Sequence, residues 1–382
     1  MIELPKIRFK GDYPAWEQKR IREVAPLQRG FDLPTTQVVE GKFPVVYSNG
    51  VGRYHHEFKA KAPGIVTGRS GTIGSLTYVE QDYWPHNTSL WVTKFIDCEP
   101  KFAFYLYEKI GLKRFATGSG VPTLNRNDVH DHKLFIPKID EQKKIAEFLT
   151  SVDTKISQLT EKHRLLTEYQ KGVMQQVFNQ KVRFKDEDGN AFPDWEEKPL
   201  SQLASKITTK NKGRLVKAVL TNSAKYGIIS QQDYFEKDIA KGDNTDNYCV
   251  VDINDFIYNP RISELAPVGP IGRNKVEQGV MSPLYSVFRF NSKVCLDFME
   301  YFFKGTTWHK YMHSVANFGA RHDRMNISSA DLMALSCPCP CPDEQKKIAR
   351  FLKTIDIKIE GAAEQIEQTK QFKKGLLQQM FV

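Results

Sequence analysis

Polar side chains on glycine-bracketed turns are the residues of this sequence best suited to chemistry. Residues 68–74 read G-R-S-G-T-I-G and offer Arg69, Ser70 and Thr72 on one such turn. Glycines allow a backbone to approach a ligand closely. An Arg guanidinium matches the acceptor edge of guanine, and an Asn amide matches the edge of adenine. The pattern therefore indicates hydrogen bonding to the edges of nucleobases.

Further candidates of the same kind occur in both halves of the sequence. Those in the first half are His86, Asn87, Asn125 and Arg126. Those in the second half are Arg261, Arg273, Asn274, Arg321, His322, Arg324 and Asn326. Asn87 and Asn125 could instead close turns, as Asn often does. The residues better suited to phosphate groups, or to a solvated surface, are Lys59, Lys61, Lys210, Lys212 and Arg214.

Familiar catalytic patterns are incomplete in this sequence. It contains neither G-x-x-x-x-G-K-[ST] nor H-E-x-x-H. Residues 193–198 (P-D-W-E-E-K) carry the residue types of a carboxylate–lysine nuclease signature, but the parts abut, and Ala15 replaces Asp194 in a repeated copy. The N-P-R at 259–261 lacks the second Pro and the aromatic residue of adenine methyltransferases. We expect no catalysis by this chain alone; the alternative is a methyltransferase or nuclease with unrecognised motifs.

The composition is that of a folded, basic protein. The 382 residues are 40% hydrophobic and 26% charged, which fits two or three globular domains. Lys and Arg number 55 against 45 Asp and Glu, so the net charge is +10 and favours a polyanionic partner such as nucleic acid. The mean hydropathy of −0.47, without a long apolar run or a secretory-type start, predicts a cytoplasmic location.

Six cysteines are too few for a disulfide framework in a chain of this length. Residues 337–342 read C-P-C-P-C-P, and alternate residues of an extended segment point the same way, so three thiols could converge on a metal ion. The usual C-x₂-C spacing and a second ligand pair are missing. We therefore expect reduced thiols and no metal ion.

The sequence repeats itself in two places. D-E-Q-K-K-I-A-E-F-L at 140–149 recurs as D-E-Q-K-K-I-A-R-F-L at 343–352, and an R-F-K…P-x-W segment at 7–25 recurs at 182–204. Each half therefore runs from the R-F-K segment through a variable body to a D-E-Q-K-K-I segment. Similar frames around divergent bodies predict one scaffold that carries two different readers.

The D-E-Q-K-K-I segments predict long helices. An a/d heptad stripe runs through Ile145, Leu149, Val152, Ile156, Leu159, His163, Leu166, Gln170, Val173 and Val177. The second copy has Ile348, Leu352, Ile355, Ile359, Ala362, Ile366, Thr369, Lys373, Leu376 and Met380. Each helix would be roughly 58 Å long, with Asp140 and Asp343 as N-caps. The shared polar breaks favour pairing of the two helices over packing of each on its own domain.

The predicted fold class is α+β, with two strand-rich globular recognition domains related by an internal pseudo-twofold repeat and separated by an antiparallel pair of helices. Gly and Pro punctuate both bodies, which predicts short strands, while 101–110 and 298–314 read as helices. The predicted segments are a first domain at 1–139, a helix at 140–178, a linker and second domain at 179–342, and a helix at 343–382.

The arrangement resembles the specificity subunit of type I restriction–modification enzymes. The resemblance rests on the repeated helix starts, the R-F-K…F-P-D-W-E segment, and G-R-S-G-T-I-G, W-P-H-N-T-S-L and G-V-P-T-L-N-R-N-D-V in the first body. The weaker counterparts in the second body are at 260–272 and 319–328. This resemblance implies a non-catalytic subunit whose two target-recognition domains bind a split, asymmetric double-stranded DNA site.

The same resemblance implies partners. The helices would dock two methyltransferase subunits that modify adenine N6 with S-adenosylmethionine, and motor–nuclease subunits would use ATP and Mg²⁺ to cut unmodified DNA. The complex would act in host defence, at the nucleoid in the bacterial or archaeal cytoplasm, and this chain itself would bind none of these cofactors. A coiled-coil adaptor that binds only protein is the remaining alternative, and the basic surplus counts against it.

Overall fold

The computed structural model describes residues 5–118, 122–231, 245–317 and 323–382. Contacts divide the chain into two compact units. The first unit comprises Met1–Glu161 and Ala362–Val382, and the second comprises Lys162–Gly361. Each unit therefore contains one variable body and a segment of each long helix. None of the described helices is long and apolar enough to span a membrane.

Short strands and helices build the first body. The strands are β1 Glu17–Arg20, β2 Leu27–Arg29, β3 Phe43–Tyr47, β4 Gly50–His55, β5 Gly64–Gly68, β6 Leu76–Val79, β7 Trp84–Pro85, β8 Ser89–Val92, β9 Ala116–Thr117, β10 Thr123–Leu124 and β11 Lys133–Ile136. The helices are α1 Pro100–Ile110 and α2 Arg126–Asp131, with 3₁₀ turns at Ile21–Glu23, Thr35–Gln37 and Leu112–Phe115. The long helix α3, Ile139–Phe178, follows.

The second body has a similar set of elements. Its strands are β12 Glu196–Pro199, β13 Ala204–Ile207, β14 Leu220–Ser223, β15 Gly227–Ser230, β16 Cys249–Val251, β17 Phe256–Tyr258, β18 Ile271–Arg273, β19 Gly279–Met281, β20 Ser286–Phe290 and β21 Ser336–Cys339. Its helices are α4 Leu200–Leu203, α5 Leu296–Lys304, α6 His309–Val315 and α7 Ser329–Met333, and the long helix α8, Pro342–Met380, follows.

The two bodies share one strand arrangement although their sequences diverge. A four-stranded antiparallel sheet has the order β2-β8-β5-β6 in the first body and β13-β20-β17-β18 in the second. In each body the first strand pairs antiparallel with the strand before the long helix, β1 with β11 and β12 with β21. The predicted mixed fold with two repeated domains is confirmed.

Each body buries one face of its sheet under a helix. The central strands β5 and β17 are buried throughout. Helix α1 begins at Pro100, which has no N–H to satisfy, and the Glu99 carboxylate accepts the Phe102 N–H at 2.5 Å. Gly111, at φ +69°, ends α1 in the left-handed region. The helix is thereby held with its Phe and Tyr side chains inside the core.

Residues 298–314 form two helices rather than the single helix expected from sequence. Helix α5 ends at Lys304, and Gly305 accepts the Trp308 indole N–H through its carbonyl at 3.0 Å. The buried Trp308 ring then directs the chain into α6. Glycine interrupts the helix here because it has low helix propensity and leaves carbonyls open to such side-chain bonds.

The long helices begin one residue earlier than the sequence indicated, and the N-cap assignment is wrong. Asp140 and Asp343 lie inside the first turns of α3 and α8. There their charges still suit the positive end of the helix dipole. The first-turn amides of Glu141 and Gln142 instead donate to the Lys138 carbonyl.

The Glu and Gln of each D-E-Q repeat tie the helix start to its body. Glu344, with a side chain 0% exposed, accepts the Arg183 guanidinium at 2.9 and 3.0 Å and the Trp195 indole N–H at 2.8 Å. Gln345 accepts the Cys295 N–H at 2.9 Å and donates to the Pro340 carbonyl at 2.8 Å. The Glu and Gln of the motif therefore make buried polar contacts that join the helix start to the body.

Gln142 makes the corresponding contacts in the first unit. Its side chain accepts the Glu99 N–H at 2.8 Å and donates to the carbonyls of Pro137 and Asp97 at 2.8 and 3.0 Å. These bonds join the start of α3 to the loop that precedes α1. The two copies of the motif thus have the same structural role.

The predicted heptad stripe is the buried face of both helices. In the first unit the first turns of α3 (Ile145, Leu149) share a core with the last turns of α8 (Leu376, Met380). In the second unit the last turns of α3 share a core with the first turns of α8, through Met174, Val177, Phe178, Ile348, Leu352 and Ile355. Within each unit the pairing is therefore antiparallel. The same residues also lie in the core of the body, so each helix end contacts both the other long helix and the body.

The six cysteines are free thiols, and Cys98, Cys249 and Cys337 are buried. Among the described residues, the group of potential ligands whose atoms lie close together is His55, His56 and Glu57, within 4.8 Å of one another. The Nδ1 atom of His55 is already engaged with the backbone of Val39. Cys337 and Cys98 are buried, and burial raises the pKa of the Cys98 thiol to about 12.

Candidate nucleic-acid interface

Three sequence-distant segments of the first body meet at one turn. We call residues 68–74 the first arginine turn. The Arg69 and Ser70 amides donate to the Thr88 carbonyl at 3.0 and 3.2 Å, and the Leu124 amide donates to the Arg69 carbonyl at 2.8 Å. The three segments are those that carried the family resemblance in this body. Backbone bonds therefore hold three polar segments together on one side of the body.

The glycines of this turn are required by close backbone packing. A Cβ atom on Gly68 would lie 1.8 Å from the Thr72 carbonyl oxygen, and Gly71 and Gly74 have φ angles of +78° and +76°. A Cβ on Gly74 would also lie 2.8 Å from the Lys113 amide nitrogen. Side chains other than hydrogen cannot be accommodated at Gly68, so the turn is compact and its remaining side chains project from it.

Arg69 is the strongest candidate reader of a base. Its side chain is half-buried, Thr72 is exposed, and the guanidinium makes no hydrogen bond or ion pair with the residues that the structure describes. A guanidinium fixed at its backbone and free at its tip suits a bidentate contact with a guanine edge. Lys61 is also exposed, which suits a phosphate contact.

His86 and Asn87 are more constrained than Arg69. The His86 Nδ1 lies 3.0 Å from the Thr88 hydroxyl, and its ring packs 4.4 Å from the Tyr47 ring between centroids. Burial lowers the pKa of His86, so the ring is neutral at pH 7 and can both donate and accept. The Asn87 amide donates to the Asp32 carboxylate, which leaves its oxygen free for a ligand.

Asn125 has the turn-closing role that was one of the two expectations. Its Oδ1 accepts the Asn127 N–H at 3.0 Å, which caps helix α2. Its amide group is exposed, and Arg126, the first residue of α2, is exposed beside it. Donor groups of both side chains therefore remain available next to the first arginine turn.

The second body builds the same turn from different residues. We call residues 259–262 the second arginine turn. The Met325 amide donates to the Pro260 carbonyl at 2.9 Å, and the Ile262 amide donates to the Asp323 carbonyl at 3.1 Å. The bond from Met325 to Pro260 corresponds to the bond from Leu124 to Arg69 in the first body. Arg261 therefore occupies the position next to that of Arg69, and its side chain is exposed.

A cavity of about 590 Å³ adjoins the second arginine turn. Arg261, Ser263, Asn222, Gln231 and Tyr285 are among the residues that line it. Arg261, Ser263, Gln231 and Tyr285 supply both donors and acceptors, as recognition of a base edge requires. The Asn222 amide is buried and donates to the carbonyls of Ile257 and Pro270. The sequence did not indicate a role for Asn222, Gln231 or Tyr285. They come from segments that are far apart in the chain, so no local sequence pattern identifies them as neighbours.

Two candidates of the second body are corrected by their contacts. Asn274 is 0% exposed, and its amide donates to the carbonyls of Asp252 and Glu277 at 3.0 and 2.7 Å, so it cannot reach DNA. Arg273 bonds the Asp297 carboxylate at 2.6 Å and the Asn254 side chain at 2.6 and 2.9 Å. Asn274 therefore stabilises a loop between strands, and Arg273 joins the end of β18 to helix α5.

The remaining candidates of the second body differ in their exposure and in their contacts. Asn326 is exposed, and its backbone exchanges two hydrogen bonds with Asn317. Arg324 is half-buried, 3.6 Å from the Asp323 carboxylate. Arg321 and His322 lie outside the described residues.

Several basic residues take other partners. The Arg214 guanidinium bonds the Asp246 carboxylate at 2.6 Å, and Lys210 donates to the Asn247 carbonyl at 3.0 Å. Lys59 lies over the Trp84 ring at 4.8 Å. Lys212 is exposed. Of this group, Lys61 and Lys212 fit the expected phosphate contact best.

Lys113 and Arg114 are basic residues that the sequence did not single out. They are exposed on the 3₁₀ turn Leu112–Phe115, whose backbone packs directly against Gly74. Arg114 also lies 3.0 Å from the His132 ring nitrogen Nε2. The Lys113 backbone lies beside the first arginine turn, and the exposed positive charges of both residues suit phosphate contacts. Their positive charge is the only sequence feature that points to such a role, and Lys and Arg are common in this chain.

The family model for the type I restriction modification DNA specificity domain matches residues 14–167 and 193–371. The EcoprrI specificity subunit of a type I restriction enzyme from Escherichia coli is 24% identical over 165 residues, covering 42% of this chain and 41% of that protein. The MjaVIII specificity subunit from Methanocaldococcus jannaschii is 25% identical over 291 residues, covering 70% and 65%. The matches span less than two thirds of these relatives.

Solved structures share the fold. The type I restriction–modification S subunit from M. genitalium aligns with a TM-score of 0.59 and 13% identity, covering 100% of this chain and 99% of that chain. A chain from a structure on complex assembly and conformational transition of the type I R-M system aligns with a TM-score of 0.54 and 16% identity, covering 96% and 98%.

Proposed function

The chain belongs to the type I restriction–modification specificity family, and on that premise we propose that each body binds one half of a split, asymmetric DNA target. The observation that carries this proposal is the arginine turn, which both bodies build with matching backbone bonds and different side chains. A shared backbone frame places readers in a common position, and divergent side chains allow each body to select its own bases.

The candidate residues fall into two groups: those that would bind base edges and those that would bind phosphates. Arg69, Asn125 and Arg126 offer donors for base edges that have no partner among the described residues, and Lys113 offers an exposed positive charge for a phosphate. Lys61, which precedes β5, and Lys212 in the second body offer further exposed positive charges. The net charge of +10 supports association with a polyanion. Arg261 takes the corresponding part in the second body, beside the cavity that Asn222 and Gln231 line.

The long helices would dock two methyltransferase subunits. Tyr169 on α3 and Phe372 on α8 occupy equivalent positions of the repeat, and their side chains are 55% and 54% exposed. Exposed aromatic side chains at repeated positions suit two copies of one partner. The partners would supply S-adenosylmethionine-dependent methylation of adenine N6, and motor–nuclease subunits would use ATP and Mg²⁺. This chain would act at DNA in the cytoplasm without a cofactor of its own.

The decisive experiment is a map of methylated adenines in cells with and without this gene, together with its partner subunits. We expect loss of methylation at one bipartite sequence when the gene is removed, and binding of that sequence by the reconstituted complex. Methylation of DNA by the purified chain with S-adenosylmethionine alone would establish an enzyme instead. Absence of DNA binding by the complex at moderate salt would favour a protein-only adaptor.

A further inference from the structure

The polar break of the stripe in α8 forms a charged contact with the first body. The Lys373 ammonium, on a side chain 12% exposed, lies 2.8 Å from the Glu108 carboxylate and 2.9 Å from the Asp153 carboxylate. Tyr105 on α1 donates its hydroxyl to Asp153 at 2.8 Å. We call Glu108, Asp153 and Lys373 the first lock. All three belong to the first unit.

The polar break in α3 forms a different contact with the second body. The Gln170 amide donates to the Asp356 carboxylate at 2.5 Å, and the Tyr301 hydroxyl donates to the same carboxylate at 2.5 Å. The Lys304 ammonium lies 3.8 Å from Asp356. We call Gln170, Lys304 and Asp356 the second lock. These residues all belong to the second unit.

The locks occupy equivalent positions but carry their positive charge on opposite partners. Asp153 and Asp356 correspond in the repeat, as do Gln170 and Lys373. The tyrosines that bond the two aspartates are followed three residues later by Glu108 on α1 and by Lys304 on α5. In the first lock the cation comes from the long helix, and in the second it comes from the body.

Apolar positions at the helix ends that would be exchanged are similar but not identical in the two halves. Val173, Met174 and Val177 of α3 correspond to Leu376, Leu377 and Met380 of α8. All of these side chains are apolar, so a second copy of α3 could still bury its end against the first body. These ends also differ in charge, at Gln170 and Lys373.

We propose that the two locks are non-interchangeable and specify which helix end pairs with which body, so that two copies of the chain do not pair through like halves. Gln170 in the first lock would leave Glu108 and Asp153 without a cation. Lys373 in the second lock would add a second cation beside Lys304 at the Asp356 carboxylate, and Glu300, 3.9 Å from Lys304, is the further carboxylate there. Such mismatches act as selection against the wrong partner.

The test uses variants of the full chain that all have the same composition. Q170K/K373Q gives each lock the wrong helix residue, and Q170K/K373Q/E108K/K304E exchanges the locks completely. The control, E147R/R350E, exchanges charges between equivalent exposed helix positions. Each variant is measured by thermal unfolding and by light scattering for its mass, in comparison with the unaltered chain.

For Q170K/K373Q we expect a Tm about 2–8 °C lower or a doubled mass, because like halves now match between two copies. The fourfold variant and the control should return to the mass and Tm of the unaltered chain within about 1 °C. A wild-type mass and Tm for Q170K/K373Q would overturn the proposal. It is also overturned if the fourfold variant fails to recover, including the case in which neither variant folds.

Discussion

Arg8 and Glu141, 133 residues apart in the sequence, form a two-point ion pair with distances of 2.7 and 2.9 Å. The Glu141 side chain is 1% exposed, and the hydrogen bond to Glu141 raises the pKa of Arg8. Arg183 and Glu344 form the same pair 161 residues apart in the second unit. In each unit the R-F-K repeat therefore supplies the arginine of this ion pair, and the D-E-Q-K-K-I repeat supplies the glutamate.

Replacing Glu344 by Gln should lower the free energy of unfolding by about 1–3 kcal/mol. The change removes a buried carboxylate that Arg183 and the Trp195 indole both need, and it leaves their donors poorly matched. Chemical denaturation followed by circular dichroism measures the loss. Asp343→Asn is the matched control, because the neighbouring Asp343 is exposed. An equal effect of both variants would contradict a role for the buried pair.

Arg69→Ala should weaken binding of the cognate site by about 1–3 kcal/mol and relax the preference at one base position. Lys61→Ala should weaken binding to all sequences about equally and reduce the salt dependence by the contribution of about one phosphate contact. Both are measured by titration of the assembled complex with cognate and random duplexes at several salt concentrations. An equal loss on both duplexes for Arg69→Ala would make Arg69 a phosphate contact.

Arg261→Ala and Arg273→Ala should have different effects although both remove an arginine from the second body. Arg261 is exposed beside the cavity, so its loss should relax one base of the second half-site and leave the first half-site unchanged. Arg273 pairs with Asp297, so its loss should lower Tm without altering the sequence preference. Methylome mapping and thermal unfolding measure the two effects. A changed first half-site in Arg261→Ala would argue against independent bodies.

The free energy of unfolding should fall as the pH is lowered from 7 to about 5. Burial lowers the pKa of His86, His130, His132 and His309 in the folded chain. The unfolded chain therefore binds more protons below its histidine pKa of about 6.5, and the stability present above that pH is lost as the pH falls through 6.5. Urea unfolding at pH 7.5, 6.5 and 5.5 measures this dependence. Increasing stability over that interval would contradict it.

Seven residues inserted in each long helix, after Leu159 and after Ala362, should lengthen the spacer between the half-sites. One heptad adds about 10 Å of helix and preserves the a/d stripe, which corresponds to at most about three base pairs. Four residues inserted in one helix alone should break the stripe and prevent assembly. Methylation of a series of spacer lengths measures the optimum. An unchanged optimum in an active complex would refute this role of the helices.

The sequence by itself determined the repeat, the two long helices and the family. The starts of α3 and α8 lie within one residue of the predicted positions, and the stripe residues from Ile145 to Met380 form the buried face. These features could be predicted because helix periodicity is local, and because a repeat can be seen without knowing what it contacts. The repeated Arg and Glu residues could also be seen in the sequence, but the ion pairs that they form, Arg8 with Glu141 and Arg183 with Glu344, could not.

Only the tertiary structure decided which polar residues are available and which are committed. Asn274 and Asn125 are the same residue type near turns, yet one is buried against backbone carbonyls and the other is exposed at a helix start. Arg273 and Arg261 differ in the same way. The partners that decide these differences, such as Asp297 for Arg273 and Asp252 for Asn274, lie 24 and 22 residues away in the sequence. Local sequence carries no record of such long-range contacts, so burial and hydrogen-bond partners become known only when the chain is folded.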